Sequence, residues 1–198
     1  LNVIVRNISI INQALKMQIL NEDIDRKKPF LFFNDSSFSD LISNTMPNVL
    51  LIPGASFKSK MYPAEKYAQL SKKINANFIV LWGSPVEYKI AQKIKVLSPQ
   101  VSLTSKLSLD NLKALISAVD LVIGSDTGPV HMAWALNKAS ITLFGSTPGY
   151  RNSFVTDTNQ IIESNSKVNP YKINKNDFSI KDIRVNEVVI VANKLIMG

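Results

Sequence analysis

From residue 48 onward, short uninterrupted apolar runs alternate with helical patterns, and this alternation restricts the fold more than any other feature. The runs are "NVLLIP", "NFIVLW", "DLVIG" and "SITLFG". Between and after them lie "PAEKYAQLSKKI", "PVEYKIAQKIKVL", "SLDNLKALISAV" and "PVHMAWAL", which read as helices. A strand that is apolar at every position is covered on both faces, and strands separated by helices run parallel. The expected fold is therefore α/β: a Rossmann-like open parallel sheet with helices on both faces. "VSL" and "QIIE" are expected as short further strands. "SIKDIRVNEVVIVANKLI" is expected as a closing helix, with Ser179 and Asp182 spaced as a capping box. Pro63 is expected at the first position of its helix and Ser108 as a cap.

The first 44 residues read differently. Residues 2–20 have Val5, Ile8, Ile11 and Leu15 at helical spacing behind a capping Asn2. The charged stretch "NEDIDRKKP", the apolar "FLFF" and the turn-rich "NDSSFSDLISNTMPN" follow. We divide the chain into a helix and linker, residues 1–44, and a Rossmann-like domain, residues 45–198. A length of 198 residues suits one domain with an added element. No apolar run approaches the roughly 18 residues of a membrane span, which reads as a soluble chain. The absence of Cys excludes disulfides and thiolate metal sites, and a single His makes a His-based metal site unexpected. The start, "LNVIVRNISI", lacks a secretory signal, and beginning on Leu reads as a fragment or trimmed chain. A net charge of +8 favours anionic partners. The lysines are scattered and no DNA or RNA motif accompanies them, so nucleic acid is not expected.

Function is concentrated in the turns that follow the strands. "GSDTGPVHMAWAL", residues 124–136, contains a D-T-G triplet like that of acid proteases. Those enzymes are built of β-strands and pair two such Asp residues. Here one triplet joins a strand to a helix, at a carboxyl end where open α/β sheets bind ligands. Gly128 allows a close approach, and the free N–H groups of the helix start suit a phosphate beside Thr127 and Gly128. Asp126 would repel that phosphate, so its carboxylate suits sugar hydroxyls; the alternative is a plain turn residue. His131, one turn on, either donates to a ligand or packs. The loop "PGASFKSKMYP", residues 53–63, offers Gly54, Ser56, Lys58 and Lys60 without P-loop spacing, and its lysines suit either an anion or the surface. In "WGSPVEYK", Glu87 suits a ribose or simply the first turn of a helix. "SKLSLDNL" offers backbone groups to the edge of a base.

These four loops, in this order, resemble the C-terminal domain of the lipopolysaccharide heptosyltransferases, glycosyltransferase family 9. The resemblance rests on "PGASFKSKMYP", "LWGSPVE", "SKLSLDNLKALISAVDLVIGSDTGPVHMAWAL" and "ITLFGSTPGY". It is good over roughly residues 1–150 and looser in the tail, and "WGSP" with Glu87 tilts it toward the type I branch over type II. It implies a GT-B fold of which this chain is the donor-binding half, taking ADP-L-glycero-D-manno-heptose without a metal or cofactor. Carried over residue by residue, Ser56 and Lys60 meet the diphosphate, Glu87 meets the ribose, and Asp126 holds heptose hydroxyls. Thr127, Gly128 and His131 then surround the phosphates. Ala55 stands where the family has a second hydroxyl residue. The resemblance further implies a lipid A–Kdo acceptor bound by an N-terminal domain, which also carries the general base, and a cytoplasmic position at the inner-membrane surface. These 198 residues are then expected to bind donor and to be nearly inactive alone. The rivals are another GT-B transferase using a different nucleotide, or an inactive nucleotide-sugar-binding module.

Overall fold

The computed structural model describes residues 1–34 and 36–197. It contains helices α1 (Val3–Leu15), α2 (Asn21–Asp25), α3 (Ala64–Lys73), α4 (Pro85–Leu97), α5 (Leu109–Ala118), α6 (Gly128–Ala135), α7 (Gly149–Asn152) and α8 (Val185–Met197). Its strands are β1 (Asn48–Ile52), β2 (Asn77–Val80), β3 (Ser102–Leu103), β4 (Leu121–Ser125), β5 (Ala139–Phe144) and β6 (Asn159–Glu163). All six pair in parallel, in the order β3-β2-β1-β4-β5-β6. This is the open parallel sheet that the alternating runs predict.

Alternation within each strand divides the core. Val49, Leu51, Phe78, Val80, Leu121, Ile123, Ile141 and Leu143 face one side, where they pack with Tyr67 and Leu70 of α3, Ile94 of α4 and Val188 of α8. Leu50, Ile52, Ile79, Leu81 and Val122 face the other, against Leu115 and Ile116 of α5 and Val130 and Ala133 of α6. Each fully buried Leu or Ile contributes about 1.5–3 kcal/mol, and both faces need apolar residues, so the strand runs are continuous. Gly124 in β4 brings α6 in close: a Cβ there would fall 2.8 Å from Ile52 Cβ and 2.9 Å from Val130 Cγ2. In the segment read as a linker, Leu31, Phe33, Phe38, Leu41 and Ile42 lie against this second face.

Local chemistry sets the helix limits. Asn2 caps α1 by accepting from Ile4 N at 2.9 Å. Where the sequence suggests a helix to residue 20, α1 stops at Leu15. Lys16 takes a left-handed conformation, φ 51°, and the Asn12 side chain bonds both the N–H and the C=O of Ile19, turning the chain. Ser108 caps α5 through Asn111 N, as expected. Pro63 is the cap of α3 and not its first residue. The capping box expected at Ser179 and Asp182 does not form. Residues Ser179–Asp182 make a 3-10 turn and α8 begins only at Val185, because the Ser179 hydroxyl is bonded to Ser164 Oγ at 2.8 Å. The apolar "FLFF" run, residues 30–33, forms no strand.

Strand order fixes where a ligand can sit. From β1 the chain moves outward to β2 and β3, then returns to β4 on the other flank of β1. The loops leaving β1 and β4 therefore diverge, and the crevice between them opens at the carboxyl ends of the strands.

Candidate functional site

That crevice is a cleft of about 500 Å³. Ser56, Glu87, Asp126, Thr127, Gly128 and His131 all line it, drawn from the loops after β1, β2 and β4 and from the helices that follow. Lys60 does not line the cleft. It lies directly behind, 8% exposed, in a 3-10 turn (Lys58–Lys60) that aims it inward while Lys58 stays at the surface.

Asp126 is the hub. Its side chain is 10% exposed. Its Oδ2 accepts from Lys60 Nζ at 2.9 Å, Asn152 Nδ2 at 3.1 Å and Thr147 Oγ1 at 3.2 Å. Its Oδ1 lies 3.0 Å from His131 Nε2. Burial would raise this carboxyl, but the hydrogen bond from His131 and the charge of Lys60 outweigh burial and hold it well below the usual carboxylate range. An ionised carboxylate only accepts, so Nε2 of His131 carries the proton.

Glu87 closes a capping box on α4. Its Oε2 accepts from the N–H of Gly83 at 2.8 Å and of Ser84 at 2.9 Å, while Glu87 N donates to Ser84 Oγ. Its other oxygen faces the β1 loop, where a Cβ on residue 54 would lie 2.2 Å from Oε1; only glycine leaves room. Thr127 stands at the cap of α6 without a side-chain cap bond. Its hydroxyl donates back to Ser125 O at 3.2 Å, which leaves the first turn open to a ligand.

The rest of the cleft is an apolar wall of Ile52, Leu81, Trp82, Leu107 and Leu112. Trp82 is fixed by donating Nε1–H to Thr104 O at 2.7 Å and by Tyr88, whose ring centroid is 4.6 Å away. Leu107 and Leu112 come from "SKLSLDNL", the loop expected to edge a base, although through side chains and not backbone groups. Ile52, Leu81 and Trp82 were not expected as site residues, and the signal for Trp82 was its place at a strand end, just before glycine. Thr147 and Asn152 were missed as well, because only folding brings them to Asp126. Among the described residues, no group of three or more His, Cys, Asp or Glu is placed to hold a metal ion. Nor is any helix among them long and apolar enough to cross a membrane.

The family model for glycosyltransferase family 9 (heptosyltransferase) matches residues 1–179. The chain belongs to this family. Among its family relatives, lipopolysaccharide heptosyltransferase 1 of Campylobacter coli is 33% identical over 210 residues, covering 98% of this chain and 61% of the relative. The Haemophilus influenzae lipopolysaccharide core heptosyltransferase OpsX is 33% identical over 119 residues, 56% of this chain and 34% of its own length. The chain thus spans about three fifths of the first relative's length and a third of the second's. Escherichia coli ADP-heptose heptosyltransferase II superposes with a TM-score of 0.70 at 19% identity, covering 91% of this chain and 53% of that one. E. coli heptosyltransferase WaaC with ADP gives 0.65 at 18% identity, covering 79% and 47%. The open six-stranded parallel sheet is thereby that of the GT-B heptosyltransferases.

Proposed function

We propose that these residues form the donor-binding part of an ADP-heptose:lipopolysaccharide heptosyltransferase, of type I. The enzyme would move heptose onto the Kdo of the lipid A inner core with inversion. The observation that carries this reading is the convergence of Ser56, Glu87, Asp126, Thr127, Gly128 and His131 on one cleft at the switch point of the sheet. Two neighbours in the fold, E. coli WaaC with ADP and with ADP-2-deoxy-2-fluoro heptose, support the choice of donor. So does the name of the Campylobacter relative.

In this reading the adenine lies on the wall around Trp82, and the ribose meets Oε1 of Glu87. The diphosphate lies between Ser56 and the start of α6 at Thr127 and Gly128, where backbone N–H groups and the helix dipole favour anions. A heptose hydroxyl donates to Asp126, beside His131. A bare carboxylate next to a diphosphate is costly: two unit charges about 4 Å apart repel by about 4 kcal/mol at an effective dielectric constant of 20. Lys60, 2.9 Å from Asp126, offsets that repulsion. Lys60 thereby acts on the diphosphate through Asp126. As ADP leaves, the developing charge is met by the helix start, with Lys60 neutralising Asp126 beside it, so the reaction as proposed calls for no metal.

Neither carboxylate of the cleft suits the role of general base. Glu87 Oε2 is bonded to two backbone N–H groups, and the charge and donors around Asp126 hold its carboxyl low, which makes it a weak proton acceptor. The proposal assigns the base, and the lipid A–Kdo acceptor, to the family's N-terminal domain. It assigns the enzyme to the cytoplasmic surface of the inner membrane. Supporting that assignment, the segment 167–175 carries exposed Lys167, Lys172 and Lys175 and a 93% exposed Tyr171, and a basic segment favours anionic headgroups.

Calorimetric titration with ADP, ADP-heptose, UDP and GDP tests the reading. ADP and ADP-heptose should bind, and Asp126→Ala should weaken ADP-heptose alone. Preference for UDP or GDP would make the protein another GT-B transferase, and binding without turnover in the presence of the N-terminal domain would make it an inactive module.

A further inference from the structure

The donors around Asp126 come from two sources. Lys60 and His131 belong to the loop after β1 and to α6. Thr147 and Asn152 belong to the β5–α7 turn, "STPGYRN", 21 and 26 residues further along the chain. Together Lys60, Thr147 and Asn152 place three donors on Oδ2, at 2.9, 3.2 and 3.1 Å. A carboxylate oxygen has two lone pairs, so Oδ2 has no capacity left for a ligand. His131 takes one lone pair of Oδ1. One acceptor position remains, on Oδ1 of a side chain that lines the cleft.

The turn that supplies Thr147 and Asn152 is itself held firmly. Gly149 N donates to Glu163 Oε1 at 2.8 Å, Arg151 donates to Pro170 O, and Asn2 Nδ2 donates to Ser153 O at 2.7 Å and Tyr150 O at 3.2 Å. Thr147 is 3% exposed, so its hydroxyl has little access to water and takes Asp126 as partner. Such anchoring is what keeps a binding group within the few tenths of an ångström that recognition requires.

We propose that Thr147 and Asn152 are positioning residues for the sugar of the donor. They saturate Oδ2 and fix the carboxylate plane, so that the open position of Oδ1 faces one heptose hydroxyl. The inference rests on the donor reading above. It predicts that they govern affinity for the sugar and not for the nucleotide, which Asp126 does not touch.

The test titrates the 198-residue protein and its variants with ADP-heptose and with ADP. Thr147→Val keeps the shape and removes the hydroxyl; Thr147→Ser keeps the hydroxyl; Asn152→Ala removes the amide. Thr147→Val and Asn152→Ala should each lose about tenfold in ADP-heptose affinity with ADP affinity unchanged, and Thr147→Ser should bind like the wild type. Should Asn152→Ala fail to fold, the Val and Ser pair at 147 decides. Equal losses for both ligands, or no loss for either, would overturn the assignment while leaving the donor reading intact. A wild-type protein that binds neither ligand would overturn both.

Discussion

At the amino ends of the strands, Asn48 gathers the chain: its N–H donates to Asp120 Oδ2 at 2.7 Å and its Oδ1 accepts from Ser43 N and Asn77 Nδ2 at 2.7 and 2.8 Å. At the carboxyl ends, Asp126 gathers Lys60, His131, Thr147 and Asn152. Both hubs tie several elements together, but their partners differ in kind. Around Asn48 they are the Asp120 carboxylate, a backbone N–H and an amide of neighbouring turns, which fix how β1, β2 and β4 start relative to one another. Around Asp126 they are side chains only, a lysine, a histidine, a threonine and an asparagine, gathered at the wall of a cleft. The first hub only holds the strand starts together, whereas the second keeps one acceptor position, on Asp126 Oδ1, at the edge where a ligand sits.

The largest way to break this contrast is Lys60→Ala. It strands a carboxylate that is 10% exposed, and removing one partner of a buried pair costs about 3–5 kcal/mol. Denaturant unfolding should show a loss at the upper part of that range if His131, Thr147 and Asn152 do little to compensate. ADP affinity should fall with it, because Asp126 then repels the diphosphate. Asn48→Ala comes next, with a loss of about 2 kcal/mol from unsatisfied backbone groups and unchanged ADP affinity in the same calorimetric assay. A fall in ADP affinity there would mean that the two ends are not independent.

The smallest effect is acidic. The folded Asp126 carboxyl lies below its unfolded value. Its contribution to stability is therefore complete above the ordinary carboxylate range and is lost as pH falls through the depressed folded value. Between pH 4 and pH 3 this group removes up to about 1 kcal/mol. Asp126→Asn should lose that portion of the slope when the pH dependence of the unfolding midpoint is compared with wild type.

The sheet was readable from the chain because the central strands β1, β2 and β4 are almost wholly apolar, a local pattern that burial on two faces imposes. The convergence of Ser56, Glu87, Asp126, Thr127, Gly128 and His131 followed from a topological rule: turns at the carboxyl ends of parallel strands share one edge. What escaped depends on distance in sequence. Nothing near Thr147 or Asn152 announces Asp126, and it is the family resemblance, not "KSK" itself, that singles out Lys60 over Lys58. The Ser179–Asp182 spacing misled for the same reason: Ser164, outside the window, took the hydroxyl. The short α7, four residues long, carries too little periodicity to be read from sequence.

Residue 54 shows how narrow such an arrangement can be. Its missing side chain is the gap into which the Glu87 carboxylate reaches. Even a methyl group there would push that carboxylate off the two N–H groups it fastens and unpin the beginning of α4. One hydrogen atom on the β1 loop thus leaves the space on which the seating of the helix across from it depends.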